Sequence, residues 1–407
     1  MNKIVSLISV ITFIAVTIIF CIFYRPANNN EVVFWTLQMS DFAPYINEVI
    51  TDFEKNNPDV KIKWIDVPFS EGEKRTLASV LSDNPPDLVN LNPDFSATLS
   101  NKGALYEIPK EELEQFQPEI LNSLENNGKY YSIPWYATSA ITIYNKELLK
   151  KAQISVPKTY TDIEKCAKSI KDKTGAYIMI PNITENDTML KILNKYGVSD
   201  YKNINSKSAQ DLFEMFKNLY EKDLIPKETI TITLSEGLEK YMSENVAIIG
   251  AGANFLNMIK ENAPSTYKKT EVAPQITGSL GQNDFSLMNF VIPLKAKHKQ
   301  EALQFALFLT NNENQLKLAK LTNILAVNKE TLKNEFYTKY EKNDLMGEAR
   351  IISAKQLNKL QPVFRTQKNQ KEINNIVNSA VQNILLNKGK TTDILNKLAE
   401  NWKMLGE

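Results

Sequence analysis

Strand-like and helix-like segments alternate between residue 31 and Gly103, and this alternation most limits the folds open to the chain. Residues 32–35 form a short apolar run rich in β-forming side chains, which is typical of a buried strand. Apolar residues then recur at helical spacing between Ile46 and Phe53, and residues 60–65 alternate with period two. This βαβ order predicts an α/β fold with a parallel, doubly wound sheet.

The second half of the chain is richer in predicted helix. Long amphipathic stretches lie at residues 163–171, 210–221, 300–310 and 372–386. Apolar strand candidates lie between them, at residues 140–144, 246–250 and 289–293. A chain of 407 residues is too long for one hydrophobic core, so two domains are expected.

The composition excludes several classes of protein. The 48 Lys and Arg residues nearly balance the 47 Asp and Glu residues, and a net charge of +1 offers no global field that would attract nucleic acid. Two cysteines, Cys21 and Cys166, cannot build a disulfide framework or a multi-cysteine metal site. No nucleic acid, metal or cofactor is therefore expected as a partner.

Sequence motifs of common enzymes are missing. The chain contains no G-x-S-x-G elbow, H-E-x-x-H helix, P-loop or C-x-x-C pair. Gly250-Ala251-Gly252 begins like a dinucleotide fingerprint, but Phe255 occupies the position of the third glycine, which predicts a plain strand-to-helix turn. His298 stands in a run of cations and is predicted to be a surface residue, whereas Cys166 lies on an apolar helix face. We expect no enzymatic activity.

The N-terminal residues 4–24 form one uncharged apolar block. A helix of about 20 residues is about 30 Å long, which matches the thickness of a bilayer core. Cys21 opens a second interpretation, because residues 18–21 resemble a bacterial lipoprotein signal with a lipidated cysteine, although Phe20 is larger than the residue that such a signal prefers. Residues 1–30 are therefore expected to be an anchor and spacer that tether the protein, outside the cytoplasm, to the membrane.

Aromatic and hydrogen-bonding residues gather where predicted strands end. The aromatic candidates are Trp35, Phe95, Trp135 and Tyr136, and the polar candidates beside them are Gln38, Asn92, Asp94, Thr138 and Ser139. Ligands of open α/β sheets bind outside the carboxyl ends of strands, and aromatic faces with amides suit a neutral polyol. For Asp94, a helix N-cap is an equally good interpretation.

Several stretches resemble the extracellular solute-binding proteins of ABC importers, the family that includes maltose-binding and other sugar-binding proteins. These stretches are residues 81–89 (LSDNPPDLV), 102–108 (KGALYEI), 127–134 (NGKYYSIP), 144–152 (YNKELLKKA), 156–163 (VPKTYTDI) and 289–310. Together they span most of residues 31–407 in the order and spacing of the family.

The resemblance implies a two-lobed periplasmic-binding-protein-like fold with a hinge and a ligand cleft between the lobes. Lobe one would be 31–139 with 274–322, and lobe two 140–273 with 323–407. The implied function is capture of a sugar or oligosaccharide by a monomer and its delivery to an ABC permease. Two alternatives from other classes remain: a glycan hydrolase that uses cleft carboxylates, and a membrane-tethered sensor with the same fold.

The resemblance also implies ligand contacts in the second lobe. Asn254 and Phe255 lie where maltose-type members carry an aromatic platform, and Asn182 follows a predicted strand, with Asn186 close behind it. A further platform of the family falls near residues 373–375, where this chain has no aromatic. A smaller or differently shaped sugar is therefore favoured over a long maltodextrin.

Overall fold

The computed structural model describes residues 31–322, 324–357 and 369–406. The strands are β1 Glu31–Leu37, β2 Lys61–Val67, β3 Leu88–Leu91, β4 Glu125–Asn126, β5 Lys129–Tyr130, β6 Ile133–Thr138, β7 Ala140–Asn145, β8 Tyr177–Met179, β9 Val246–Gly252, β10 Thr270–Ala273, β11 Ser286–Val291 and β12 Leu325–Ala326. The α-helices are α1 Ala43–Asn56, α2 Phe69–Val80, α3 Pro93–Asn101, α4 Pro118–Leu124, α5 Lys146–Ala152, α6 Tyr160–Thr174, α7 Thr188–Asn194, α8 Lys207–Glu221, α9 Leu234–Met242, α10 Phe255–Asn262, α11 Pro264–Tyr267, α12 Lys299–Leu309, α13 Asn312–Thr322, α14 Leu345–Gln356, α15 Gln370–Leu385 and α16 Thr391–Gly406.

The smaller of two compact units comprises, among the described residues, 31–89 together with 292–306. Strand β1 pairs in parallel with β2 and with β3, as the βαβ order predicts. Apolar side chains of α1 at helical spacing are buried, and the Phe53 ring lies 5.0 Å from that of Phe305 on α12. Phe34 of β1 meets the same Phe305 ring at 5.4 Å, so strand and helices share one core.

One buried carboxylate joins the strands of this unit to α12. Asp87 is 3% exposed, and its Oδ2 accepts from the backbone N–H of Val33 at 2.9 Å. Its Oδ1 accepts from the backbone N–H groups of Lys297 and His298, both at 3.0 Å, just before α12 begins. Asp87 thus satisfies backbone donors that the sheet and the helix leave unpaired. Asp87 is therefore a structural residue.

The larger unit comprises, among the described residues, 90–291, 307–322, 324–357 and 369–406. One of its sheets has the strand order β10-β7-β9-β8, in which β7 is antiparallel to both β10 and β9 while β8 is parallel to β9. Strand β6 pairs antiparallel with β11 and with β12. The parallel arrangement expected from the first residues of the chain therefore holds for β1–β3, whereas this unit is mixed.

The helices of the larger unit bury a continuous apolar core. Helix α8 contributes Phe213 and Phe216 and helix α16 contributes Trp402, each at most 2% exposed, and apolar residues of α6 and α15 join the same core. Cys166 packs against this core from α6, as its position on an apolar face predicts, and burial raises the pKa of its thiol. The side chain therefore packs as a small apolar residue at the edge of the core, and its raised pKa disfavours the reactive thiolate.

Residues 1–30, with the predicted anchor helix and Cys21, lie outside the described residues. Within the ranges that the structure does describe, no helix is both long and apolar enough to span a bilayer. The predicted lobe limits stay a prediction.

A like-charge pair beside β7 gives a pH-dependent expectation for stability. Burial raises the pKa of the Glu348 carboxyl, and the charge of the nearby Glu271 carboxylate adds a smaller contribution in the same direction. The Tyr144 hydroxyl donates a hydrogen bond to Glu271 Oε2 at 2.8 Å. A carboxyl whose pKa is higher in the folded than in the unfolded state loses its stabilising contribution as the pH rises through that range. Glu348→Gln should therefore raise the melting temperature near neutral pH by on the order of 1 °C.

The control for this prediction is Glu341→Gln, which changes an exposed carboxylate of the same charge. Circular dichroism melts near neutral pH and at about pH 3.5 measure the effect, because Glu348 is protonated in both states at the lower pH. A gain of equal size at both pH values would contradict the electrostatic origin.

Candidate functional site

A pocket of about 350 Å³ lies within the larger unit, at the carboxyl ends of β8 and β9. These two strands are parallel, with Met179 opposite Ile248, so that their carboxyl ends share one edge of the sheet. The start of β7 reaches the same edge because β7 runs antiparallel to β9, with Ala140 opposite Gly252. This is the position at which open α/β sheets bind ligands, and the volume is that of a small-molecule site.

The pocket has an apolar side and a polar side. Its apolar and aromatic walls include Ile141, Tyr160, Met179, Ile180, Leu234, Ile249, Phe255, Ile276 and Phe285. Its polar walls include Thr138, Ser139, Asn182, Thr188, Lys191, Lys195, Asn254, Gln275, Asp284 and Ser286. Such a lining offers apolar faces for stacking beside donors and acceptors for hydroxyl groups.

Glycines keep the edge of β9 open. Gly250 and Gly252 both line the pocket, and a Cβ added at Gly252 would lie 2.4 Å from Asn254 Oδ1. Any side chain at position 252 would therefore displace the Asn254 amide. The chain turns at Ala253 and Asn254 before α10 begins at Phe255, so this motif is the predicted strand-to-helix turn.

A buried lysine anchors the polar wall. Lys195, at 3% exposure, donates from Nζ to Gln275 Oε1 at 2.8 Å and to the Ile276 carbonyl at 2.9 Å. Its third contact is Asp284 Oδ2 at 3.2 Å. An ammonium has three N–H donors, so these contacts occupy all of them. Lys195 is thus a structural cation that fixes Gln275 and Asp284 in place.

Two glutamine amides extend this network below the pocket. Gln356 Nε2 donates to Ser139 Oγ at 2.8 Å, and Gln356 Oε1 accepts from the Gln275 backbone N–H at 2.7 Å. Gln275 Nε2 donates to the same Ser139 Oγ at 3.2 Å. The network ties the start of β7 to the segment after β10 and to the end of α14. Buried networks whose members are all satisfied are rigid, which preorganises the pocket wall.

Lys191 is the second cation of the pocket, and it is less enclosed than Lys195. Its Nζ lies 3.2 Å from Asp187 Oδ1 and 3.4 Å from Ser286 Oγ, and its side chain is 27% exposed. Burial acts to lower the pKa of this ammonium, but Asp187 and Asp284, with a smaller contribution from Asp94, outweigh burial and raise the pKa. Lys191 therefore stays charged at physiological pH.

Three of the predicted second-lobe residues line the pocket together: Asn182, Asn254 and Phe255. Asn182 Nδ2 donates to Glu185 Oε2 at 2.7 Å, and the same carboxylate oxygen accepts from the Leu234 backbone N–H at 3.0 Å. Glu185 therefore fixes the amide of Asn182 relative to the start of α9. Asn186 is not a lining residue; its carbonyl accepts from Asn378 Nδ2 at 3.1 Å.

The predicted group at the start of α3 has a different role from the one expected. Asn92, rather than Asp94, is the N-cap of this helix, since Asn92 Oδ1 accepts from the Phe95 backbone N–H at 2.8 Å. Asp94 is exposed in the first turn, and its charge contributes to the raised pKa of Lys191. Asn92, Asp94 and Phe95 are not among the lining residues of the pocket.

Trp135 is a core residue in the structure. The side chain is fully buried on β6 and stacks on Phe290 of β11, with 4.6 Å between ring centroids. Tyr136 is half-buried, packs edge-on against Trp135 at 5.1 Å, and has its pKa raised to about 12 by burial. Inward-facing positions of a strand alternate with outward-facing ones, so a residue near the end of a strand can still face the core. Neither aromatic lines the pocket.

Trp35 and Gln38 belong to the smaller unit. The Trp35 ring is 8% exposed, and the Arg75 guanidinium lies 5.1 Å from its centroid. Gln38 is exposed, and its backbone has φ of 52° while its N–H donates to the Val67 carbonyl at 3.0 Å. Neither is among the lining residues of the pocket.

The charged residues of the pocket wall escaped the sequence analysis. Lys191 and Lys195 are spaced i, i+4 in the mostly apolar run 189–195, and lysines within such a run are the signal that could have identified them. Gln275 and Asp284 come from a segment after β10 with no periodic pattern, so nothing local marks them.

In the part of the chain that the structure describes, no group of three or more His, Cys, Asp and Glu side chains converges to form a set of metal ligands. His298 is half-exposed. The pocket lining thus offers hydroxyl, amide and charged groups that can hydrogen-bond the hydroxyls of a small molecule.

Comparison with known proteins agrees with this geometry. A crystal structure of a candidate oligosaccharide periplasmic-binding protein from Synechococcus sp. MITs9220 superposes with a TM-score of 0.84 at 27% identity, covering 92% of this chain and 98% of that one. The sugar-binding protein MalE from Xanthomonas citri superposes with a TM-score of 0.79 at 18% identity, covering 92% and 97%. The second likeness concerns the fold alone.

Sequence relatives lead to the same family. The multiple sugar-binding protein of Streptococcus mutans is 25% identical over 298 residues, which are 67% of this chain and 69% of the relative. The model of the family described as bacterial extracellular solute-binding protein matches residues 38–316, more than half of the chain. The chain therefore belongs to the bacterial extracellular solute-binding protein family.

Proposed function

We propose that this protein captures a sugar or oligosaccharide outside the cytoplasm and delivers it to the permease of an ABC importer. The observation that carries the proposal is the pocket of about 350 Å³, with apolar walls beside amides, hydroxyls and charged groups, in a member of a solute-binding family. The streptococcal relative binds multiple sugars by its name, and the Synechococcus neighbour is described for oligosaccharides. No bond is broken in this function, and no cofactor takes part in it.

Each of several pocket residues makes its own kind of contact with the sugar in this proposal. Phe255 provides a hydrophobic face for a sugar ring, and Asn254 and Asn182 hydrogen-bond hydroxyl groups through their amides. Thr138 adds a hydroxyl at the start of the polar wall. Trp35, Gln38, Asn92, Asp94, Phe95 and Tyr136 remain weaker candidates because they are absent from the lining of this pocket.

Ligand capture would be coupled to lobe closure. The predicted limits assign Thr138 and Ser286 to lobe one, and Asn182 and Asn254 to lobe two. A ligand that contacts both sets binds the closed conformation more tightly than the open one and thereby shifts the population towards it. The permease would recognise the closed monomer, which residues 4–24 or a lipid on Cys21 would hold at the membrane.

A thermal-shift screen of residues 31–407 tests the proposal. A saccharide at about 100 times its dissociation constant should stabilise the folded state by about 2.7 kcal/mol, which appears as a higher melting temperature. The panel contains mono- and oligosaccharides, with amino acids, polyamines and metal ions as comparison ligands.

The same samples distinguish the alternatives. Chromatography after prolonged incubation should show the saccharide unchanged, whereas a shortened product would establish a hydrolase. A response to amino acids or ions alone would refute the sugar assignment while leaving family membership intact.

A further inference from the structure

We propose that Lys191 and Asp284 form a ligand-binding pair that holds one uncharged sugar hydroxyl and disfavours acidic sugars. This inference rests on the proposed function, since it names the sugar chemistry that the same pocket selects. A sugar hydroxyl both accepts and donates a hydrogen bond, so it can accept from an ammonium and donate to a carboxylate at once.

Lys191 has donor capacity to spare. Its ammonium carries three N–H groups, and among the described residues two oxygens lie near it, Asp187 Oδ1 at 3.2 Å and Ser286 Oγ at 3.4 Å. The second distance is long for a hydrogen bond. At least one N–H is therefore available to a ligand in the pocket.

Asp284 has acceptor capacity to spare. Its Oδ2 is held by Lys195 at 3.2 Å, and within the described ranges its Oδ1 has no hydrogen-bond or ion-pair partner. Its backbone N–H donates to Gln275 Oε1 at 3.1 Å, the same atom that accepts from Lys195 at 2.8 Å. Lys195 and Gln275 thus fix the orientation of this carboxylate, as a preorganised binding group requires.

The two side chains line one pocket, and the charge of Asp284 acts on the Lys191 ammonium. Ser286, two residues after Asp284, reaches the Lys191 ammonium, and Asp284 is one of the carboxylates that raise the pKa of Lys191. Hydrogen bonds to charged groups are stronger than neutral ones, so this pair can contribute a large share of the affinity for a sugar.

Charge balance determines which sugars the pair accepts. The cations Lys191 and Lys195 are matched by Asp187 and Asp284, and Asp94 adds a further negative charge that acts on Lys191. An acidic sugar therefore meets no net positive charge and must approach carboxylates, which like-charge repulsion opposes.

Titration calorimetry on residues 31–407 tests the inference with probes that differ in charge. The neutral probes are maltotriose, arabinotriose and diacetylchitobiose, the acidic probe is digalacturonate, and the cationic probe is the amino sugar chitobiose. The wild type should bind a neutral probe more tightly than digalacturonate. Lys191→Met should lower the affinity for the neutral probe about ten-fold or more. The affinity for chitobiose should rise relative to that for the neutral probe, because the cation that balanced the remaining carboxylates is gone.

The matched control is Lys317→Met. Lys317 also forms an i, i+4 ion pair on a helix and has a side chain with 31% exposure, but it does not line the pocket. The Lys317→Met variant should bind every probe with the affinity of the wild type. Asp284→Asn serves as the second variant, because Asp284 is part of the buried network. It should lower the affinity for the neutral probe and raise the affinity for digalacturonate relative to it.

The outcomes separate this inference from the proposed function. Unchanged neutral binding in Lys191→Met with an unaltered melting temperature, or tighter binding of digalacturonate than of neutral probes by the wild type, would overturn the inference and leave the sugar-binding function standing. Binding of no saccharide by the wild type would overturn both.

Discussion

Lys195→Met is expected to lower the free energy of unfolding by about 3–5 kcal/mol, the usual cost of removing one partner from a buried ion pair. Methionine fills a similar volume but donates no hydrogen bond, so Asp284 Oδ2 and the Ile276 carbonyl lose their donor inside the pocket wall. Because the side chain of Lys195 is 3% exposed and that of Asp284 18%, water replaces the lost ammonium only in part. Urea denaturation followed by circular dichroism measures the loss.

Two further variants identify the cause of this loss. Lys195→Met combined with Asp284→Asn removes both charges and should recover part of the stability, since an uncharged pair avoids the buried unpaired carboxylate. Lys317→Met changes a partly exposed ion pair and should cost about 1 kcal/mol or less. A single Lys195→Met variant as stable as Lys317→Met would mean that the buried network does not hold the wall together.

Trp135→Ala is expected to destabilise the protein by about 3–5 kcal/mol, as large-to-small substitutions of buried tryptophan do. The indole is fully buried and stacked on Phe290, so truncation leaves a cavity between β6 and β11. The same urea titration measures this effect, and the loss should be present without any ligand.

Trp135→Phe is the matched comparison. It keeps an aromatic ring against Phe290 and removes an indole N–H that has no hydrogen-bond partner among the described residues, so it should cost about 1.5 kcal/mol or less. If Trp135→Ala instead kept its stability and lost sugar binding, the tryptophan would return to the list of ligand contacts. Phe255→Ala should show that second pattern, because Phe255 is half-buried at the pocket.

Local patterns were enough to predict the elements around the core. The apolar spacing before Asn57 predicted α1, and the amphipathic stretches at 163–171 and 210–221 predicted α6 and α8, because a helix that packs by one face repeats its apolar residues every three to four positions. The direction in which strands pair could not be predicted from such local patterns. The antiparallel pairing of β7 with β9 joins residues about a hundred positions apart, and periodicity carries no information on such partners.

The candidate site also contains some residues that were predicted from the sequence and some whose environment was not. Asn254 and Phe255 were proposed from the family resemblance and Asn182 from its place after a predicted strand, and all three line the pocket. The prediction for Trp135 rested on its place at a strand end, which does not reveal the face of the sheet that a side chain takes, and the structure buries this side chain.

The sequence by itself determined an α/β chain with two cores, no catalytic or metal motif, and a membership in a solute-binding family that extends over most of its length. The tertiary structure alone decided which polar groups face the pocket. Lys195, Gln275 and Asp284 are scattered over ninety residues and acquire a shared role because folding buries them together. In that setting each polar group must find a partner or pay a desolvation cost, and this requirement gives the pocket wall its fixed geometry.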